Sequence, residues 1–415
     1  MLPPNPVVPA HLFLQRMPTR QFINLLLPAH KNLPQCTILR QTTWEHTHGR
    51  CGLHRARFSP PAQAGGDAAG RGGSHRPQST RLSSRPTATL PPKRDETAES
   101  RPTMRISVLG GSGFIGPRVM RRLVEHGHEV HCMDINPNAP VLDPLRDKVE
   151  IIHGDITVMG DVVEALVAAR PDRVINLAYV LGASEADPHP QVKINILGMD
   201  NCFEAARLLD IRRVVYASSL AVYGPQRLHG DKMVTEDDLC LGRGIYSVSK
   251  RFNEHQADWY NRAYDMAITG IRPANITGPD KVRGSMNHVQ CQVLPAREQP
   301  VRFPHADTMT LPLHVEDIAE VFVRVTLAEQ TAHAIYNSGG HPTSMADLAA
   351  AVRQFLPDAD ISFDHQEGGH DASGLYLMDN SRLVEEFEIE YAPFDQRIHE
   401  TINEVRQSEG LPPVG

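Results

Sequence analysis

Little in this 415-residue chain marks a metalloprotein, a disulfide-braced domain or a membrane protein. It has 6 cysteines and no Cys-x-x-Cys pair. Beyond the leader described below, Cys132, Cys202, Cys240 and Cys291 stand alone, and Cys132 and Cys202 fall in strand and helix patterns. They read as buried thiols of a reducing compartment rather than a disulfide framework. His288, His305, His314, His341, His365 and His370 never pair at metal spacing on a helix, and no His-Glu-x-x-His occurs, so no metal is expected. No apolar run approaches the roughly 20 residues that span a bilayer. The expectation is a cytoplasmic protein with no membrane partner. No short internal repeat is visible.

Charge is unevenly spread. Through Thr103 the chain carries 14 Lys+Arg against 5 Asp+Glu, and the remainder carries 28 against 44. The leader, 1–103, is crowded with Pro, Arg, Ser, Gly and His, with too little periodic apolar content to offset the entropy of ordering it. It is expected to be disordered. Three readings stay open: an upstream start chosen in error ahead of Met104, an Arg-rich organellar presequence, or a nucleic-acid-binding arm. Scattered basic residues and sparse aromatics count against the last, and no nucleic-acid partner is expected.

From Met104 the pattern alternates as a parallel sheet with helices on both faces requires. Strands are predicted at 105–109, 129–133, 149–152, 173–177, 214–217 and 267–271, and helices at 114–126, 159–169, 191–209 and 246–263. This is an α/β fold with a doubly wound parallel sheet of the Rossmann type over 104–273. After Pro273 the chain reads as loop-rich through Asp280 and Arg302. A helix near Val315, a strand at 334–337 and helices at 344–355 and 396–407 follow. The segment 274–415 is expected to form a smaller substrate-binding region, with late elements returning to the core.

The first strand runs into Gly110-Gly-Ser-Gly-Phe-Ile-Gly116, with Gly113 between the outer glycines. Glycines between a strand and a helix let backbone N–H groups approach a dinucleotide pyrophosphate. Asp134 follows 18 residues after Gly116, at the end of the second strand. A carboxylate there accepts both adenosine ribose hydroxyls and repels a 2′-phosphate, and no Arg or Lys follows in Ile135-Asn136-Pro137, so NAD is favoured over NADP. Asp155, after the third strand, is placed to meet the adenine amino group, and Ile156 to cover the ring. Leu177 and Ala178 would pass under the pyrophosphate and nicotinamide ribose.

Tyr246 and Lys250 lie four residues apart on one face of a predicted helix. A phenol with an ordinary pKa near 10 needs adjacent positive charge to work at neutral pH. Lys250 supplies it, the oxidised nicotinamide adds a second, and Lys250 can also reach the nicotinamide ribose. Ser219, at the end of the fifth strand, can hold the same substrate oxygen.

With these motifs the sequence resembles the extended short-chain dehydrogenase/reductase superfamily, in its NAD-dependent epimerase/dehydratase branch, from Met104 to about Arg406. Gly110 to Gly116, including Phe114 and Ile115, matches its cofactor turn, Ala217-Ser-Ser-Leu-Ala-Val-Tyr-Gly224 its serine strand, and Tyr246-Ser-Val-Ser-Lys250 its catalytic helix. Arg272-Pro-Ala-Asn-Ile-Thr-Gly-Pro279 matches the segment after its sixth strand. The resemblance implies that the second serine, Ser219, is catalytic, that Asn195 stands near the active site, that Pro273 borders the cofactor and that Asn275 contacts substrate phosphate. It also implies homodimers joined through the helices at 191–209 and 246–263.

Departures narrow the chemistry. Sugar-dehydrating relatives carry Asp-Glu directly after the catalytic Ser or Thr; here Leu220 and Ala221 stand there. Thr310 replaces a phosphate-clamping arginine ahead of His314-Val-Glu-Asp317, and no second clamp precedes Tyr376. Arg283, Arg297 or Arg302 are candidates to replace them. Asn176 stands where many members have His, and Tyr179 where they have a small residue. The expected function is an NAD-dependent epimerase or dehydrogenase acting on a secondary alcohol of a sugar-like or nucleotide-sugar-like small molecule. The alternative is a non-catalytic NAD-binding regulator or scaffold.

Overall fold

The computed structural model describes residues 103–181 and 188–415, and the expectation for the leader lies outside them. Strand β1 (Arg105–Leu109) buries Ile106, Val108 and Leu109 completely. Helix α1 (Gly116–Glu125) presents Val119, Met120 and Leu123 on one buried face, each contributing roughly 1.5–3 kcal/mol relative to exposure. Strands β2 (Glu129–Asp134) and β3 (Val149–His153), helix α2 (Met159–Ala169) and strand β4 (Arg173–Asn176) complete the first half. The second half is α3 (Met199–Leu208), β5 (Arg213–Ala217), α4 (Ile245–Tyr264) and β6 (Ala267–Arg272).

Later elements are β7 (Asn275–Thr277), α5 (Asn287–Ala296), β8 (Val301–His305), β9 (Met309–Thr310), β10 (Pro312–His314) and α6 (Val315–Leu327). They continue with β11 (Ile335–Asn337), β12 (Thr343–Ser344), α7 (Met345–Phe355), β13 (Ile361–His365), α8 (Ser381–Phe387) and α9 (Phe394–Ser408).

Seven strands form one parallel sheet in the order β11-β6-β5-β4-β1-β2-β3, the doubly wound α/β arrangement expected. Between β1 and β4 the direction of winding reverses, which is where such sheets open a ligand crevice. Register aligns that edge: Leu109 lies opposite Met133 and Asn176, and Asn176 opposite Tyr216. The loops after these strands therefore leave the sheet side by side.

One core packs α1 and α6 on one sheet face, and a second packs α2, α3 and part of α4 on the other. A third, with Val289, Val293, Leu348, Val352, Ile398 and Ile402, joins α5, α7 and α9. The loop expected through Arg302 is thus a helix and a strand, with β8 pairing parallel to β13. The apolar rhythm of α5 is broken by His288 and Gln292, yet both are buried, bonded to the Ile276 carbonyl (3.2 Å) and the Thr277 hydroxyl (3.0 Å). Tertiary partners make these polar residues part of an inward face.

Among the described residues no helix is long and apolar enough to cross a membrane, and no group of three or more His, Cys, Asp or Glu is arranged to hold a metal. The four described cysteines are free thiols, and burial pushes Cys132, Cys202 and Cys291 up to about 12.

Beneath the carboxyl edge, Arg272 on β6 forms a buried pair with Glu254 on α4 (2.8 Å), and Ser218 donates to the same carboxylate at 2.6 Å. This pair ties α4 to the sheet. Arg272→Met would leave Glu254 buried without its cation, and should cost about 3–5 kcal/mol in urea unfolding. Adding Glu254→Met should recover most of that loss. A single variant within about 1 kcal/mol of wild type would contradict the assignment.

Candidate active site

The glycines of the turn after β1 have distinct tasks. Gly110 sits at φ +82°, and a Cβ there would lie 2.4 Å from the Ala178 nitrogen. A Cβ at Gly116 would lie 2.4 Å from the Gly111 carbonyl oxygen. Chain packing requires both. At Gly113 a Cβ would meet only the Gly110 carbonyl, at 3.4 Å, so the protein's own packing leaves that space clear. No side chain caps the first turn of α1, whose N-cap is Ile115. Unclaimed N–H groups at a helix start, faced by a cleared space, fit a pyrophosphate. Phe114 and Ile115 pack against the first core.

Asp134 is 5% exposed and accepts N–H bonds from Ser112 and Asn136, one on each oxygen at 2.8 Å. Each oxygen keeps a second lone pair for a ribose hydroxyl. Asp155 accepts from the Thr157 N–H at 2.8 Å beside the end of β3. Ile156 is buried in the second core against Gly198. The Leu177 N–H donates to the Leu109 carbonyl at 2.8 Å and the Ala178 N–H to the Asn176 side chain at 3.0 Å, which holds both residues beside the glycine turn. A dinucleotide fits this edge.

The candidate reacting groups converge from two elements. Ser219 follows β5 and accepts from the Ala221 N–H at 3.1 Å. The Tyr246 phenol is half-buried, and burial holds its pKa above the usual value, although the Ser219 hydroxyl beside it favours the phenolate. Lys250 is 2% exposed, and burial pulls it well below the usual lysine value against the opposing charge of Glu254. Its Nζ donates to the Ala217 carbonyl at 2.6 Å, 5.6 Å from the centre of the Tyr246 ring. Burial thus keeps the Tyr246 phenol in its neutral form.

Asn195 lies in a π-helical stretch (Val192–Gly198) ahead of α3. Its amide brackets Val180, accepting from that N–H at 2.9 Å and donating to that carbonyl at 3.0 Å. Asn195 is thus a positioning residue for the loop after β4. Sequence reasoning missed Asn253, which donates to the Asn195 carbonyl at 2.9 Å and accepts from the Tyr179 hydroxyl at 3.3 Å. Its spacing was a usable signal, since Asn253 lies seven residues beyond Tyr246 on the same helix face. It also missed Arg118, whose guanidinium forks onto Asp280 at 2.8 and 3.1 Å, joining the cofactor helix to the segment after β7.

After β6, the buried Pro273 carbonyl accepts from the Leu220 N–H at 3.0 Å. The Asn275 side-chain oxygen accepts from Thr310 (3.3 Å) and the Leu311 N–H (3.2 Å), leaving its NH2 group without a partner among the described residues. Of the candidate replacement clamps, Arg297 pairs with Glu409 and Arg302 with Asp364. Arg283 is exposed and has no ion pair among the described residues.

Fold and site together define an NAD-dependent enzyme of the extended short-chain dehydrogenase/reductase type. The chain belongs to the NAD dependent epimerase/dehydratase family, whose model matches residues 106–339. It is 29% identical over 233 residues to the UDP-glucose 4-epimerase of Mycolicibacterium smegmatis, across 53% of this chain and 72% of that protein. It is 28% identical to protein CapI of Staphylococcus aureus, across 42% of this chain and 55% of that one, so the chain spans about half of CapI's length. Its fold matches the UDP-glucose 4-epimerase of Thermus thermophilus in complex with NAD (TM-score 0.63, 22% identity, 73% of this chain and 99% of that one). It also matches the L-threonine 3-dehydrogenase of Trypanosoma brucei (TM-score 0.66, 18% identity, 75% and 99%).

Asp134→Ala should weaken NAD roughly 10- to 100-fold, the loss of charge-assisted bonds worth about 1.5–3 kcal/mol, and narrow the preference over NADP. Calorimetric titration with both nucleotides checks this, and unchanged preference would remove Asp134 from the ribose site.

Proposed function

We propose that the protein is an NAD-dependent epimerase or dehydrogenase that oxidises a secondary alcohol of a sugar-like small molecule. The observation that carries the reading is the meeting of Ser219, Tyr246 and Lys250 at the edge where the glycine turn clears space for a dinucleotide. When bound, NAD supplies the hydride acceptor and a positive charge beside the phenol. Lys250 and that charge stabilise Tyr246 as the phenolate, Ser219 holds the substrate hydroxyl, and Tyr246 takes its proton to become a neutral phenol as the hydride leaves the carbinol carbon. The cofactor-facing set is Gly110, Gly113, Phe114, Ile115, Gly116, Asp134, Asp155, Ile156, Leu177, Ala178, Tyr246, Lys250 and Pro273. Asn275 and Arg283 meet the substrate beyond the reacting carbon. With Arg297 and Arg302 engaged by carboxylates, a diphosphate lacks a paired guanidinium clamp, which favours a sugar-like substrate without one.

A non-catalytic regulator is disfavoured, because cofactor sensing has no need of Ser219, Tyr246 and Lys250 together. Mass spectrometry of small molecules released on denaturation should find NAD and identify the ligand class. Cofactor retained with no net NADH on turnover marks the epimerase. Tyr246→Phe should keep NAD affinity and lose at least about 100-fold in kcat on the substrate so identified. Undiminished turnover would overturn the mechanism.

The protein acts as a homodimer in this reading. Val248, Phe252 and Trp259 expose apolar side chains along α4, beside Val192 and Leu197 from the neighbouring π-helical stretch. A second copy laid on this face buries both stripes. Phe252→Glu should convert dimer to monomer in sedimentation equilibrium. A monomeric wild type, or a variant that stays dimeric, would refute this interface.

A further inference from the structure

Tyr179 is set against Tyr246 and Lys250 from outside their helix. Its ring centre lies 3.2 Å from the Lys250 Nζ, and its plane meets the Tyr246 ring edge-on at 5.6 Å and 89°. Its hydroxyl is tethered to Asn253 at 3.3 Å, and Val180 beside it is bracketed by Asn195. Both the ring and its backbone are therefore fixed from α4 and the π-helical stretch.

We propose that Tyr179 is a positioning residue for the proton-transfer pair: its π face holds the Lys250 ammonium in the charged form, and at one place, inside a buried site. This rests on the reading of Tyr246 and Lys250 given above. The groups that face Lys250 are few. From β5 the Ala217 carbonyl accepts at 2.6 Å. From α4 come the Tyr246 ring at 5.6 Å and the charge of Glu254. Glu254 favours the protonated form, and its carboxylate is also engaged by Arg272 of β6 at 2.8 Å and by Ser218 at 2.6 Å. An aromatic face offers negative potential without adding a titratable anion that would repel phenolate. The ammonium thus stays charged while remaining free to stabilise Tyr246.

The test compares Tyr179→Phe, which keeps the ring face and loses the tether, with Tyr179→Leu and Tyr179→Met, which fill the space without a π system. The chain has 7 lysines, few enough to follow the Lys250 13Cε signal in lysine-labelled protein, assigned with Lys250→Arg. Titrations are run on the full chain with and without saturating NAD+. The aliphatic variants should lower the Lys250 pKa by about one unit or more, a tenfold loss of proton affinity, while the Phe variant titrates close to wild type. Two results overturn the proposal: aliphatic variants that titrate like wild type, or a Phe variant that falls as far as they do. If Leu does not fold, Met decides. The 13Cζ signal of Tyr246 separates the two readings. A wild-type phenol indifferent to NAD+ sinks the catalytic reading, while the Lys250 titration still decides the role of Tyr179.

Discussion

A buried ammonium is the constraint around which this site is arranged. Lys250 is almost wholly removed from water, and a lone cation in that position tends to discard its proton. What surrounds it is therefore a set of compensations. The Ala217 carbonyl fixes where the Nζ sits, the Tyr179 ring covers it, and the charge of Glu254, itself paired with Arg272, favours its protonated form. The same burial raises the Tyr246 phenol. Burial thus disfavours the charged form of both groups.

The sheet makes this possible by bringing separate loops to one edge. The glycine turn follows β1, Asp134 ends β2, the Leu177–Ala178–Tyr179 segment follows β4 and Ser219 follows β5, while α4 lays Tyr246 and Lys250 across them. Winding reverses between β1 and β4, so the crevice opens where these loops separate. The later chain returns to this frame: β11 extends the sheet, α6 packs on α1, and Arg118 grips Asp280. Cofactor helix and substrate-side segment are thereby physically joined.

Much of this is legible in the sequence, for a physical reason. Buried parallel strands are short apolar runs between amphipathic helices, and the glycine turn, Asp134, Ser219 and the Tyr246–Lys250 spacing are local patterns that survive without coordinates. The segment 287–305 escapes such reading because His288 and Gln292 interrupt its apolar rhythm, and their partners, Ile276 and Thr277, are close only in the fold. Likewise the Arg118–Asp280 contact spans 162 positions, and no spacing announces that Tyr179 covers Lys250. Asn195 is found through resemblance, but its hold on Val180 depends on a π-helical turn that no residue pattern specifies.

A crystal structure of the protein with NAD+ would test the central claim most directly. It should show the pyrophosphate against the Gly113 gap, the adenosine ribose on Asp134 and the Tyr246 hydroxyl, beside Ser219, facing the reactive carbon of the nicotinamide. A phenol turned away from that ring, or an edge that stays free of dinucleotide at saturating concentration, would contradict the account.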